Sequence, residues 1–370
     1  MTQTDITFVL PGLARTGGVR AVFEIADHLM EFGYRTGIAI PKRSILSPKR
    51  SLAGAAERVL PHRFLPVVQR FSPVKPPSQD WFPLRTPITQ LGPGLWRDLP
   101  SSRVVVATSY RTAEELLRWP EVNRRGVYFI QSYETWSGSK RRVDATWREF
   151  GRVIVSSEWL RKLATERFGK RDVGLALYGV DLETFRPART PVSRTRPVVG
   201  FMWDDRSFKG EKELVRCVEI LSRRGKVRVR AFGNGTKPLA PEVEFLGPLS
   251  GSDLADFYRS LDVFVSASRL ESGPMTIPEA MACGVAVVST DVGNVRLWSD
   301  GGRNCRLVVP GDADGLADAV SELLASFGER TRIADAARGH IAQFTWDRTA
   351  RQFEQGLRSF GVLDPEGRSV

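Results

Sequence analysis

Short apolar runs alternate along this chain with longer segments whose apolar residues recur every three or four positions. Residues 6–10 form the first run, ending at Pro11-Gly12. Residues 19–32 then place Val22, Ile25, Ala26, Leu29 and Met30 on one helical face. The same reading predicts strands at 35–40, 104–107, 127–130, 152–155 and 174–177, and helices near 112–118, 140–150 and 158–168. The second half keeps the rhythm more regularly. Strands are expected at 198–202, 227–232, 243–246, 263–266, 285–289 and 306–309, and helices at 211–224, 252–261, 276–283, 313–326, 329–343 and 345–360. Strands alternating with helices imply parallel sheets covered on both faces.

Two stretches break the rhythm. Residues 41–100 are rich in proline, including Pro76-Pro77, and set Phe64, Phe71, Trp81, Phe82 and Trp96 among basic residues; a long irregular segment inside a compact domain is uncommon, and is often functional or mobile. Residues 185–197, FRPARTPVSRTRP, are rich in Pro and Arg and poor in large apolar side chains, as an interdomain linker is. The expected organisation is a first domain over 1–187 with an irregular basic segment at 41–103, a second over 188–344, and a final helix over 345–370.

Charge changes the picture in one place. The 370 residues carry a formal charge of +12. Residues 41–103 hold eleven Lys or Arg against three Asp or Glu, a net of +8. Such a segment attracts phosphates or anionic lipid, and an anionic membrane surface is the partner expected there. Nucleic acid is not expected, because charge alone supports it and no binding module accompanies it. Three cysteines and three histidines, all scattered, exclude a disulfide framework and a histidine metal site. No run reaches the length of a membrane span, and the N-terminus lacks the build of an export signal. The expected location is cytoplasmic, with the inner face of the membrane as a peripheral docking site.

Open parallel sheets bind ligands at the carboxyl ends of their strands, so the turns after strands hold the candidate chemistry. The most informative is RLESGPMTIPEAMACGVAVVSTD, which follows the strand at 263–266. Ser272, Gly273, Pro274, Met275 and Thr276 turn into a helix whose first amides suit a diphosphate. Glu271 stands before the turn and Glu279 eight residues later; carboxylates accept hydrogen bonds from vicinal hydroxyls, as on a sugar or ribose. Lys209 stands in the turn after the strand at 198–202. Gly17 and Gly18 open the first helix but do not form a dinucleotide fingerprint. Gly233 and Gly235, in FGNG, read as a tight turn as readily as a ligand loop, and Asp312 as a helix cap.

Glu271, seven residues, Glu279 and AMACGVAVVSTD resemble the retaining glycosyltransferases of family 4, which have the GT-B fold. The resemblance extends through FGNG at 232–235, EFLG at 244–247, LDVFVSAS at 261–268, VSSEWLRKL at 155–163, GVDLETFRP at 179–187, TGGVR at 16–20 and FTWDR at 344–348. It covers most of the chain outside 41–100. It implies an α/β chain of two Rossmann-like domains facing a central cleft, with the last helix crossing back to the first domain. It also implies a nucleotide-diphosphate sugar as donor, with no cofactor and no metal. The acceptor is a hydroxyl of a glycan or glycolipid. Carried over residue by residue, Glu271 meets the donor sugar and Glu279 the ribose. Lys209 serves the leaving group, with Gly17, Gly18, Gly233, Gly235 and Leu246 along the donor. Two positions depart from the pattern. Asp204 stands where the family usually has Arg, leaving Arg206 as its substitute. Gln131 stands near the position of a common His, and is a sugar or acceptor candidate that cannot act as a base. The rival readings are a nucleotide-sugar epimerase of the same fold and a nucleotide-sugar-binding protein without turnover.

Overall fold

A computed structural model describes residues 4–41, 81–91, 98–188, 196–225 and 227–363. The chain divides into two compact units: residues 1–156, 160–176 and 349–370 form the first, and residues 157–159 and 177–348 the second. Most of the basic segment, including Phe64, Phe71 and Trp96, lies outside the described residues, as do positions 189–195 of the Pro/Arg-rich stretch.

The first unit is built on a seven-stranded parallel sheet. Its strands are β1 (Thr4–Val9), β2 (Thr36–Pro41), β3 (Ile88–Leu91), β4 (Ser102–Ala107), β5 (Gly126–Ile130), β6 (Val153–Val155) and β7 (Val173–Leu175), in the order β3-β2-β1-β4-β5-β6-β7. Central strands such as SRVVVA of β4 are apolar almost throughout, because helices cover both faces and leave no side for polar residues. Helix α1 (Gly17–Glu31) is capped by the Thr16 hydroxyl, which accepts from the Val19 amide at 3.3 Å. It buries Val22, Ile25, Ala26 and Leu29 of the stripe read from the sequence, but not Met30, which lies at the edge of that face near the end of the helix and is exposed. Helices α2 (Tyr110–Leu117), α3 (Pro120–Asn123), α4 (Lys140–Glu149) and α5 (Glu158–Phe168) complete the run. Trp81 stacks on Phe23 of α1, 5.6 Å between ring centres, and Phe82 packs on the same ring at 5.4 Å. These two aromatics of the basic segment are therefore spent on covering helix α1.

The second unit carries six parallel strands: β8 (Val198–Trp203), β9 (Arg228–Gly233), β10 (Val243–Phe245), β11 (Val263–Ser266), β12 (Ala286–Thr290) and β13 (Arg306–Val308). Their order, β10-β9-β8-β11-β12-β13, is that of a doubly wound sheet, which grows outward in both directions from its first strand. Helices α6 (Glu211–Arg224), α7 (Gly251–Arg259), α8 (Thr276–Ala282), α9 (Val295–Trp298), α10 (Ala313–Ala325) and α11 (Phe327–Ile341) connect and cover them. The core runs from Val199, Phe201 and Val265 on the sheet to Leu214, Leu221, Leu316 and Leu323 on the helices. Asp312 caps α10, its carboxylate accepting from the Gly315 amide at 2.8 Å.

The last helix, α12 (Trp346–Ser359), begins in the second unit and belongs to the first from Thr349 onward. There Phe353 lies 5.5 Å from Phe8 of β1 and 5.2 Å from Phe129 of β5. The Tyr34 hydroxyl donates to Glu354 at 2.7 Å. The first unit is thus completed by the end of the chain.

Candidate functional site

In a doubly wound sheet the ligand crevice opens where strand order reverses, beyond the carboxyl ends of the two strands that flank the reversal. In the second unit those strands are β8 and β11. The segment after β8 is Asp204–Gly210, and the one after β11 is Ala267–Met275. Lys209, Arg206, Glu271 and Ser272–Met275 all lie on these two segments, so the topology gathers residues far apart in sequence.

The two segments are tied together by backbone contact. The amide of Arg269 donates to the carbonyl of Phe208 at 2.7 Å. Gly210 adopts φ +76°, and a Cβ there would stand 1.9 Å from the carbonyl oxygen of Ala267. No side chain fits, and left-handed backbone is accessible to glycine at little cost. The turn brings the Lys209 ammonium into an ion pair with the Glu271 carboxylate, each side chain only about 15% exposed. Attraction between two such charges is weakly screened, so each is held in place before any ligand arrives.

Arg206 takes a different position. Its guanidinium folds back on Asp204, with Nε 2.8 Å from one carboxylate oxygen, and lies over the Phe208 ring at 5.1 Å. Burial raises the Asp204 carboxyl pKa, but the hydrogen bonds and charge of Arg206 outweigh it and hold the group below its ordinary value. The acid at the position of a usual Arg therefore organises the neighbouring Arg. Asp205 accepts from the Thr236 and Lys237 amides at 2.9 and 3.1 Å and fastens the loop after β9.

Glu279 sits at the fourth position of α8, almost fully buried, and accepts from the Tyr258 hydroxyl at 3.0 Å. Tyr258 is locked edge-on against Phe232, Phe257 and Phe264. The amide of Asn294 donates to the Ser272 carbonyl at 2.9 Å, fixing the turn from outside. Gly273 is packed close: a Cβ would come within 3.1 Å of Trp298 and of Tyr178. Met275 stands at the start of α8 without a side-chain cap, followed by Thr276. Pro274 contributes its carbonyl to the Ile277 amide at 3.0 Å.

Gly233 and Gly235 close on Trp203 at the end of β8. A Cβ on Gly233, whose φ is +138°, would meet the Trp203 carbonyl at 2.2 Å, and one on Gly235 would meet its indole at 2.2 Å. Packing against Trp203 accounts for both glycines. Leu246 follows β10, pairs through its amide with the Ala231 carbonyl at 2.9 Å, and is exposed.

In the first unit the strand order reverses between β1 and β4. Gly17 and Gly18 are the first residues of α1 after β1, and Gln131 follows β5. The Gln131 side-chain amide lies 3.4 Å from where a Gly18 Cβ would be, so the glycine turn and Gln131 adjoin. Beyond Gln131, Glu134 accepts from the Tyr110 amide at the start of α2, at 2.6 Å. Its burial pushes its carboxyl up to about 7, against the opposing effects of that hydrogen bond and of Arg111.

Tyr258, Trp203, Asn294 and Glu134 carry much of this geometry and stand outside the motif. Tyr258 reads as one more apolar position on a helix, and nothing in its spacing announces that its hydroxyl meets Glu279. Glu134 is visible as a polar residue after a strand, but its burial is not. Among the described residues no group of three or more His, Cys, Asp or Glu side chains is placed to hold a metal ion, and no helix is long and apolar enough to cross a membrane.

Residues 196–326 match the family described as "Glycosyl transferases group 1". The chain is similar to the D-inositol 3-phosphate glycosyltransferase of Corynebacterium urealyticum, 27% identical over 227 residues, 54% of each protein. It is also similar to the GDP-mannose-dependent alpha-mannosyltransferase of Mycolicibacterium smegmatis, 34% identical over 184 residues, 45% of this chain and 46% of that one. The match thus spans about half the length of these curated relatives. Among solved structures, Anabaena HepE in complex with UDP-glucose superposes with a TM-score of 0.72 at 16% identity, over 96% of this chain and all of that one.

Proposed function

We propose that this chain, which belongs to the group 1 glycosyl transferases and has the two parallel Rossmann-like sheets of the GT-B fold, moves a sugar from a nucleotide-diphosphate donor to an acceptor hydroxyl with retention of anomeric configuration. The observation that carries the reading is the ion pair of Lys209 with Glu271 at the reversal point of the second sheet. A diphosphate bound there exchanges partners with that pair: its oxygens take the ammonium, and the released Glu271 carboxylate accepts from the donor sugar's hydroxyls. Cleavage of the sugar–phosphate bond builds charge on the departing phosphate, and a cation already in place stabilises it without reorganisation. The amides of the 272–276 turn add dipoles of the same sense. Glu279, aimed by Tyr258, takes the ribose hydroxyls, and Leu246 offers an apolar contact along the donor.

The acceptor is assigned to the first unit, to Gly17, Gly18 and Gln131. Gln131 orients a hydroxyl and does not remove its proton; the departing phosphate takes that proton as the acceptor attacks on the face the diphosphate leaves. Lys209 supplies positive charge at the leaving group, Arg206 adding to it by exchanging Asp204 for the diphosphate, and metal independence is part of the proposal. The relatives named for GDP-mannose and for D-inositol 3-phosphate, and the UDP-glucose complex of HepE, supply the donors and acceptor to try first. A glycan or glycolipid of the cell surface is the proposed acceptor class, and the cytoplasmic face of the membrane the proposed site of action.

The test is release of nucleoside diphosphate from UDP-glucose, GDP-mannose and related donors in EDTA, followed by wild type and Lys209→Ala. The expected outcome is turnover with one donor, lowered about 10²–10³-fold in kcat by the substitution. Turnover unaffected by Lys209→Ala overturns the assigned role. Conversion of a donor to its epimer with no diphosphate released favours the epimerase instead.

A further inference from the structure

A concave site lies in the first unit, at the end of its sheet opposite to that of Gly17, Gly18 and Gln131. Its lining is Gly151 and Arg152, just before β6; Lys170, Arg171 and Asp172, just before β7; and Ser359 and Phe360, at the end of α12. These positions precede their strands, whereas every residue assigned to sugar transfer follows one. The cavity has a volume of about 350 Å³.

Local structure explains why cations collect there. Helix α5 ends in a turn at Gly169, whose amide bonds to the Thr165 carbonyl at 3.1 Å while the Lys170 amide bonds to that of Ala164 at 3.0 Å. This reversal directs Lys170 back to the end of α4, where its ammonium donates to the carbonyls of Arg148 and Phe150 at 2.9 and 2.6 Å. Arg152 is held similarly, donating to the Arg124 carbonyl at 2.9 Å. Carbonyl partners fix these two cations in position without neutralising them. Burial lowers the Lys170 pKa, the mark of an ammonium deprived of water. Three cations thus line the cavity against the single carboxylate of Asp172.

We infer that this cavity binds a phosphate group, carried either by a small phosphate ester or by an anionic lipid headgroup. Two anchored cations and a third at the rim offer charge and N–H donors to a tetrahedral oxyanion, while the Ser359 hydroxyl is spent on the Gly356 carbonyl at 2.9 Å. The volume admits a phosphate with a short polar substituent. The site is separate from the proposed donor crevice and does not rest on that reading.

The experiment compares wild type with Arg152→Gln/Arg171→Glu. Calorimetry uses inorganic phosphate and glycerol 3-phosphate, and co-sedimentation uses vesicles of pure phosphatidylcholine or of phosphatidylcholine with phosphatidylglycerol. Both proteins are first matched by thermal melting; if the double variant does not fold, Arg171→Glu alone is used. Binding of the soluble phosphates that falls about tenfold or more in the variant supports the site and assigns it to free phosphate esters. Binding only to the anionic vesicles, lowered to the same degree in the variant, supports it and assigns a lipid headgroup. Equal binding by wild type and variant, or none to any probe, overturns the inference.

Discussion

The role proposed for Lys209 depends on its neighbours. The residue that places it is Gly210, whose left-handed backbone and missing Cβ let the loop after β8 lie against Ala267. Gly210→Ala requires strained φ, costing about 1–2 kcal/mol, in addition to relief of an overlap with backbone that has no room to move. The expected result is a lower urea midpoint and loss of donor turnover together, because the loop that carries Lys209 must shift. Normal stability and turnover would show that Ala267 and the loop are not bound to each other as described. The glycine stands plainly in the sequence as Lys209-Gly210, but its purpose does not. That depends on Ala267, fifty-seven positions further on, which only the pairing of β8 with β11 brings beside it.

At the level of elements, the loop after β5 joins the start of α2 through Glu134 and the Tyr110 amide. Desolvation pushes the carboxyl of this partly buried residue up to about 7 from an ordinary 4.5. The folded chain therefore retains a proton that the unfolded chain releases, and this group's contribution makes stability fall as pH rises from about 4.5 to 7. Glu134→Gln, which cannot titrate, is expected to flatten that part of the dependence. Urea midpoints measured at pH 5 and pH 7.5 for both proteins check it; identical slopes would contradict the assigned burial. Most elements were legible in the pattern of apolar residues, since β-branched runs such as VVVA and AVVS have no other use than a strand buried on both faces. The exceptions are instructive. Strand β3, ITQL, lies at the sheet edge with its middle residues exposed, so it carries almost no apolar signal. Helices α3 and α9 are four residues long, too short for a periodic stripe.

Across the whole molecule, the first unit is completed by the last residues of the chain. Phe353 and Leu357 of α12 are fully buried, and each contributes about 1.5–3 kcal/mol by burial alone. Together they rival a sizeable part of the 5–15 kcal/mol that typically stabilises a domain. A chain ending at Arg348 is expected to lose amide protection in β1 and β4 while β8 and β11 keep theirs, as read by hydrogen exchange. Uniform loss, or none, would contradict the division into units. The amphipathic pattern of residues 345–360 announced a helix; its return to the first unit followed from the family resemblance and not from the pattern. The candidate site, whose roles are proposed, was legible in part. The motif around Glu271 named the segment, while the aromatic cluster that aims Glu279 and the Asp204–Arg206 pairing required coordinates.

The central claim is that the second unit binds a nucleoside diphosphate between Lys209, Glu271 and Glu279. Calorimetric titration with UDP, GDP, ADP and dTDP in EDTA, on wild type and Glu279→Ala, tests it most directly. The account predicts binding of one nucleotide without metal, weakened about tenfold or more by the substitution, the scale of losing hydrogen bonds to a charged acceptor. Equal affinity in both proteins, or binding that appears only when magnesium is restored, would contradict it.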